Sequence, residues 1–399
     1  MLKYALLGLV LALAALFASD TLFWKRYFRA MTIDIFEPPL DWYSPSERVA
    51  GGGAVPLPTA TPEEAGVDRA ALEAAAEYAG AHNSEALVVA RDGKVIFERY
   101  WHGTGPDTVF SSHSFHKTLV GMLVGAAIAD GRIDSADQPA KAFLPEWAGD
   151  GRAKITLRHL LTMTAPIRLD FKYHPFSSSI RTFIGTDLVR ENLRLPMDGE
   201  PGVAFAHLNT NTQSLGIVLE RATGRRYADY LSEKLWKPLG AGDGQLWLDR
   251  EGGMPHTDCC YLSRTIDWIR VGELLRNDGV WDGERLLPEG WVREMTRGST
   301  ANPNYGFQIW VGSPYAAERR YFPGDERAVN RASEPFAADD VFFLDGYGKK
   351  RVFIVPSKGL VILRTGKDSQ EWDDSRIVNL LIRATAPASD QQPVGAAGD

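Results

Sequence analysis

The chain has 399 residues, of which 44% are hydrophobic and 24% charged, and it carries a net charge of −7. These are globular proportions, and the length admits two or three average domains or one large α/β unit with a helical insertion. No basic cluster is long enough to follow a phosphate backbone, which argues against a nucleic-acid partner and leaves small molecules.

Lys3 precedes an unbroken apolar run over residues 4–18, followed by Leu22-Phe23-Trp24-Lys25-Arg26-Tyr27. The run has signal-peptide length and is short for a full span. Leu16 and Phe17 stand where cleavage needs a small residue, and the aromatic-basic cluster has the character of an interfacial belt. Residues 1–28 are therefore expected to form an uncleaved membrane anchor, with a cleaved signal or a soluble helix as alternatives. The remainder is expected on the periplasmic side of an inner membrane. Residues 29–60, rich in Pro and Gly (Pro38, Pro39, Gly51, Gly52, Gly53, Pro56, Pro58), are expected to be a surface linker.

Thr61-Pro62-Glu63-Glu64 has a capping-box pattern, and Asp68 caps a helix predicted to run to about residue 78. The β-rich runs 86–90 and 94–101 flank Arg91-Asp92-Gly93, a hairpin signal. Next comes Ser114-Phe115-His116-Lys117 at the head of an apolar helix predicted over residues 118–130 and stopped by Gly131. Residues i and i+3 share a helix face, so the Ser114 hydroxyl and the Lys117 amine project into the same space. Burial of that helix would push the amine toward the neutral form that takes a proton from serine, the chemistry of a Ser-Lys hydrolase. His113 and His116 also lie three apart, but no neighbouring carboxylate completes a metal set.

Thr156 caps an amphipathic helix on which His159 is a surface or packing residue, and further helices are predicted over 210–222, 227–237 and 265–276. Cys259 and Cys260 are adjacent. Neighbouring thiols bridge only with strain and lack the spaced pairs of a zinc site, so two small buried side chains are expected, with no disulfide and no metal. Strand character returns over 305–312, 341–345, 351–355 and 360–364, the last two joined by a turn at 356–359. Aromatic residues around Trp310 and between residues 315 and 335 either line a cleft or pack a core. A last helix is predicted over 376–383, ahead of an Ala/Pro/Gln/Gly tail, residues 386–399, that is expected to be disordered. Strands at both ends with helices between them imply one sheet closed by both termini plus an inserted helical lobe, about residues 135–290.

Several stretches, in this order, carry a resemblance: 110–117 with Ser114 and Lys117, 155–164, Pro201-Gly202 with Phe205-Ala206-His207-Leu208-Asn209, Lys237-Pro238-Leu239-Gly240, and 283–292. Over about residues 60–385 the chain resembles the serine hydrolase family of class C β-lactamases, DD-peptidases, family VIII esterases and 6-aminohexanoate-dimer hydrolases. The resemblance implies an α+β, β-lactamase/transpeptidase-like domain over residues 61–385, an antiparallel sheet flanked by helices. It also implies Ser114 as nucleophile, Lys117 as base, and no cofactor. The family's Tyr-x-Asn motif reads His207-Leu208-Asn209 here. Imidazole, with an ordinary pKa of about 6.5, can shuttle protons near neutrality. The exchange equally admits a structural His207 or a site no longer competent. The family's third motif falls at Leu344-Asp345-Gly346-Tyr347-Gly348 without its leading cation, which favours a neutral ester or amide substrate. Gly346 and Tyr347 join Asn209 as expected substrate-binding residues, with Tyr347 placed beside His207. The alternative function is a catalytically inactive relative that binds a cell-wall or small-molecule ligand.

Overall fold

The computed structural model describes residues 4, 15, 17–322 and 329–386. Most of the N-terminal apolar run and all but one residue of the expected disordered tail lie outside them. Among the described residues no helix is long and apolar enough to cross a membrane.

In chain order the elements that frame the molecule are α1 (Thr21–Ala30), β1 (Ser46–Val49), α2 (Arg69–Ala81), β2 (Ser84–Arg91), β3 (Lys94–Tyr100), β4 (Val109–Ser111) and α3 (Phe115–Ala129). There follow α4 (Asn209–Thr223), β5 (Gly244–Trp247), β6 (Tyr261–Arg264), α5 (Asp267–Arg276), β7 (Trp310–Val311), β8 (Phe342–Gly346), β9 (Lys350–Val355), β10 (Leu360–Gly366) and α6 (Asp374–Ala384). The main sheet has six antiparallel strands in the order β3-β2-β10-β9-β8-β7, so both ends of the chain close one sheet as expected. The β2–β3 hairpin turns on Asp92 and Gly93, both at positive φ (50° and 81°), as a two-residue primed turn requires.

The central strands are buried on both faces, which explains their continuous apolar runs. Leu87 and Val89 of β2 join Leu72, Ala76, Val378 and Leu381 of α2 and α6, while Val88 and Ala90 face α3 and α5 with Val352, Ile354 and Val361. Each such aliphatic side chain contributes about 1.5–3 kcal/mol on burial.

Helix α3, with Ser114 at its N-cap, is packed without slack. A Cβ on Gly121 would lie 2.9 Å from the Phe307 carbonyl, and one on Gly125 only 2.3 Å from Trp291 Nε1. Trp291 Nε1 donates to the Gly121 carbonyl at 3.1 Å, locking the crossing. Gln308 ties three helical segments together: its carbonyl accepts from Thr118, its Oε1 from Thr212, and its Nε2 donates to the Leu160 and Leu161 carbonyls.

Two N-terminal expectations are corrected. The cluster in α1 is not an interfacial belt: Phe23, Trp24, Arg26 and Tyr27 are buried with Trp42, Tyr43, Ile184 and Trp247. The Arg26 guanidinium donates to the Ser44, Leu248 and Asp249 carbonyls. Residues 29–60 are likewise no free linker. They contribute β1 as the edge of a second antiparallel sheet, β1-β5-β6-β4, that the sequence did not reveal. The Thr61 capping pattern forms, with Thr61 N donating to Glu64 Oε2 at 2.8 Å, but it closes a turn and starts no helix.

Candidate active site

The second sheet holds the head of α3. Ser112 N donates to the Tyr261 carbonyl at 2.9 Å, and Tyr261 N returns to Ser112 Oγ at 3.1 Å. His113, next in line, has φ 46°, a left-handed conformation unusual for a non-glycine residue and typical of tightly determined sites. Ser114 then stands at the helix N-cap, partly exposed, and its hydroxyl makes no cap hydrogen bond.

Lys117 follows one turn later and is buried. Its Nζ donates to Asn209 Oδ1 at 2.8 Å and to the Asp258 carbonyl. Burial pushes the ammonium down to about 8, against the opposing attraction of Asp258 and Asp345. His116 points away and is occupied, with Nδ1 3.0 Å from the Cys259 carbonyl and Nε2 2.8 Å from the Tyr227 hydroxyl. Burial lowers it to about 4, which keeps it neutral.

The structure therefore joins Lys117 to Asn209 one helical turn from Ser114. His207 lies against an aromatic wall, near enough to Lys117 for that charge to act on it. Its ring stacks on Tyr321 (centroids 5.0 Å apart) and lies 5.6 Å from Tyr305 and 5.8 Å from Trp310, while its main-chain N donates to the Tyr321 carbonyl at 2.6 Å. The expectation that it titrates near neutrality is corrected. Desolvation first, then the charges of Lys117 and Arg319, hold its pKa well below the ordinary value.

Gly346, at the end of β8, faces the helix head: a Cβ there would lie 3.0 Å from the Ser112 carbonyl and 3.3 Å from Phe115 Cδ1. A side chain there would require these neighbours to give by a few tenths of an ångström. Tyr347 does not stand beside His207; it stacks on Phe36 at 5.3 Å and lies 5.9 Å from His113. The tyrosine that partners His207 is Tyr321, within the aromatic-rich stretch but marked by no local motif. A cation missing from the first position of the third motif is present nearby as buried Lys350, paired with Glu37 Oε1 at 3.3 Å. His159, expected as a surface or packing residue, completes a capping box: its Nδ1 accepts from Thr156 N at 3.1 Å.

The wall is anchored by a buried charge network. The Tyr321 hydroxyl donates to Asp345 Oδ1 at 3.0 Å, and Arg351 bridges Asp345 (2.8 Å) and Asp374 (2.9 Å) with Arg319 on the other carboxylate oxygens. Burial alone would raise Asp374, but Arg351 and Arg319 outweigh it and hold the carboxyl well below the usual range. Arg351→Met leaves two buried carboxylates to one guanidinium and should cost about 3–5 kcal/mol in urea unfolding. An unchanged midpoint would show that the network contributes little to stability.

The expectation of unbridged cysteines is also corrected. Cys259 and Cys260 form a disulfide between adjacent residues. The fold makes room for it by holding Cys260 at φ 68°, with its N–H donating to the His113 carbonyl at 3.2 Å.

With this geometry in place, comparison with known proteins is direct. The model of the family described as Beta-lactamase matches residues 69–383. The chain belongs to that family. It is 31% identical over 234 residues to the 6-aminohexanoate-dimer hydrolase of Paenarthrobacter ureafaciens, covering 54% of this chain and 58% of the relative. To Esterase EstB of Burkholderia gladioli it is 29% identical over 178 residues, 39% of this chain and 45% of the relative. The chain thus spans about half the length of the curated relatives it matches. A penicillin-binding protein homologue from Caulobacter crescentus superimposes with a TM-score of 0.61 at 17% identity, over 82% of this chain and 98% of that one. This likeness is of fold, and it agrees with the expected α+β, β-lactamase/transpeptidase-like architecture.

Proposed function

We propose that the chain is a serine hydrolase that cleaves an ester or amide through a covalent acyl-enzyme. The observation that carries this reading is the buried Lys117 amine, one helical turn from Ser114 and held by Asn209, with its pKa drawn down to about 8. Ser114 Oγ attacks the substrate carbonyl carbon while its proton passes to Lys117 Nζ. The oxyanion faces main-chain N–H groups of Ser114 and of the Gly346–Tyr347 end of β8. Collapse expels the leaving group, which takes the proton from Lys117, and water repeats the sequence on the acyl-enzyme. His207, neutral across the physiological range, relays a proton by accepting at one ring nitrogen and donating at the other.

The names of the two curated relatives support an ester or amide substrate. Lys350 is paired with Glu37, in keeping with a neutral acyl group. Labelling with an activated fluorophosphonate tests the reading: Ser114 should carry the adduct, and Ser114→Ala should not label. A label on a wild-type peptide lacking Ser114 would overturn Ser114 as the nucleophile, and no label at all leaves the inactive ligand-binding reading in its place.

The pH profile follows from the sign of the lysine shift. Lys117 serves as base when neutral, so kcat/KM should rise with pH through about 8. A limb between pH 6 and 7 would instead mark His207 as the titrating base.

We further propose that residues 4–18 hold the domain at the periplasmic face of an inner membrane. The apolar run supports this, as do the Cys259–Cys260 disulfide, a bond that persists in oxidising compartments, and the exposed Phe17, Phe28 and Met31 in and beside α1.

A further inference from the structure

Behind the Ser114–Lys117 pair, on the segment that supplies its carbonyl partners, lies a second cluster of ligand-type side chains. Donor atoms of His256, Asp258 and Cys259 all lie within 4.8 Å of one another, and all three residues are buried. His256 is 1% exposed, stacked on Trp247 at 3.9 Å, and neither of its ring nitrogens has a hydrogen-bond partner among the described residues. Nδ1 stops 3.8 Å short of Asp258 Oδ1. Two orphan nitrogens in a dry interior are costly unless something engages them.

We propose that reduction of the Cys259–Cys260 disulfide opens a site for one divalent transition-metal cation, ligated by His256, an Asp258 carboxylate oxygen and Cys259 Sγ. Imidazole nitrogen, carboxylate oxygen and thiolate sulfur form a donor set suited to zinc, with the fourth position open. A carboxylate and a thiolate neutralise the dication, so the buried site carries no net charge. Ligands about 2.0–2.3 Å from a tetrahedral ion stand roughly 3.3–3.8 Å apart, so the trio needs to tighten by about an ångström. While the disulfide is intact, Cys259 Sγ is bonded to Cys260 and the set is incomplete. A phosphine reductant delivers two electrons to the S–S bond and becomes the phosphine oxide with oxygen from water. The two water protons complete the thiols, and Cys259 releases its proton to buffer when the cation binds.

Two of these residues are hydrogen-bonded to α3. The Asp258 carbonyl accepts from Lys117 and the Cys259 carbonyl from His116, so a cation that draws Asp258 and Cys259 together displaces the partners of the SxxK box. Zinc should accordingly slow the reduced protein.

The test reads binding directly and does not depend on hydrolysis. Zinc is titrated against a chromogenic chelator into the full-length protein, before and after treatment with tris(2-carboxyethyl)phosphine. The wild type should take one equivalent only after reduction. Cys260→Ser frees the Cys259 thiol permanently and should bind one equivalent without reductant, whereas Cys259→Ser should bind none in either state. His256→Ala should also lose the equivalent. The two serine variants differ only in which sulfur remains, so folding defects should affect them alike. Equal zinc in both serine variants, no zinc in a folded Cys260→Ser, or binding by the oxidised wild type overturns the proposal.

Discussion

Ser114→Ala should abolish turnover of p-nitrophenyl esters and short ω-amino amides while leaving the melting temperature unchanged. The hydroxyl makes no cap hydrogen bond, so its loss costs the fold little. Lys117→Ala should cost at least ~10² in rate, as removal of a general base does. His116 is a poor substitute because both ring nitrogens are engaged, by the Cys259 carbonyl and the Tyr227 hydroxyl. Full activity in Lys117→Ala would therefore transfer the base role to His207, and an active Ser114→Ala would remove the acyl-enzyme altogether.

The second large effect is on folding. From sequence, residues 1–28 are expected to be dispensable, so that their deletion leaves a soluble, active domain. The packing of α1 gives the opposite result for that boundary. Deletion through residue 28 strips Phe23, Trp24 and Tyr27 from a buried cluster and removes the guanidinium that satisfies the Ser44, Leu248 and Asp249 carbonyls. Losing one buried large aromatic costs about 3–5 kcal/mol, and whole domains are stable by only about 5–15 kcal/mol. The truncated chain should thus fail to show a cooperative unfolding transition, whereas a chain beginning at Ser19 should keep both its transition and its activity. Identical melting curves for the two would refute the packing role of α1. Release of the chain beginning at Ser19 from membrane fractions checks the anchoring proposal separately.

What could be read in the chain was what local pattern encodes. The apolar helix after Ser114, the Asp92-Gly93 hairpin and the paired strands β9 and β10 all have a strong period or a strong turn, and all form within a few residues of their expected bounds. The Ser114–Lys117 spacing is likewise a property of one helix. The second sheet escaped because its strands are three or four residues long and pair across separations too large for any local period, Ser46 with Trp247 and Phe110 with Ser263. His207 misled because its ordinary titration range was assumed for a ring that the fold places among aromatic residues and beside two cations. Tyr321 carries no motif; it matters only because the Arg351 network brings it over His207. Local sequence speaks only for the strain of bridging neighbouring cysteines, whereas the left-handed Cys260 that accommodates the bridge is set by tertiary contacts.

The tight seating of α3 bears on how a chain of this family changes over evolutionary time. Because Gly121 and Gly125 press backbone against Phe307 and Trp291, even one added methyl on that face forces the helix outward and carries Ser114 and Lys117 with it. Sequence drift there is closed off regardless of what substrate is under selection. New specificities must then arise in segments that do not bear on that helix, such as the stretch with exposed Phe171 and Tyr173, whose Phe171 stacks on Phe322 beside Tyr321. A laboratory library aimed at those segments should yield altered substrate preference far more often than one of equal size aimed at residues 115–129.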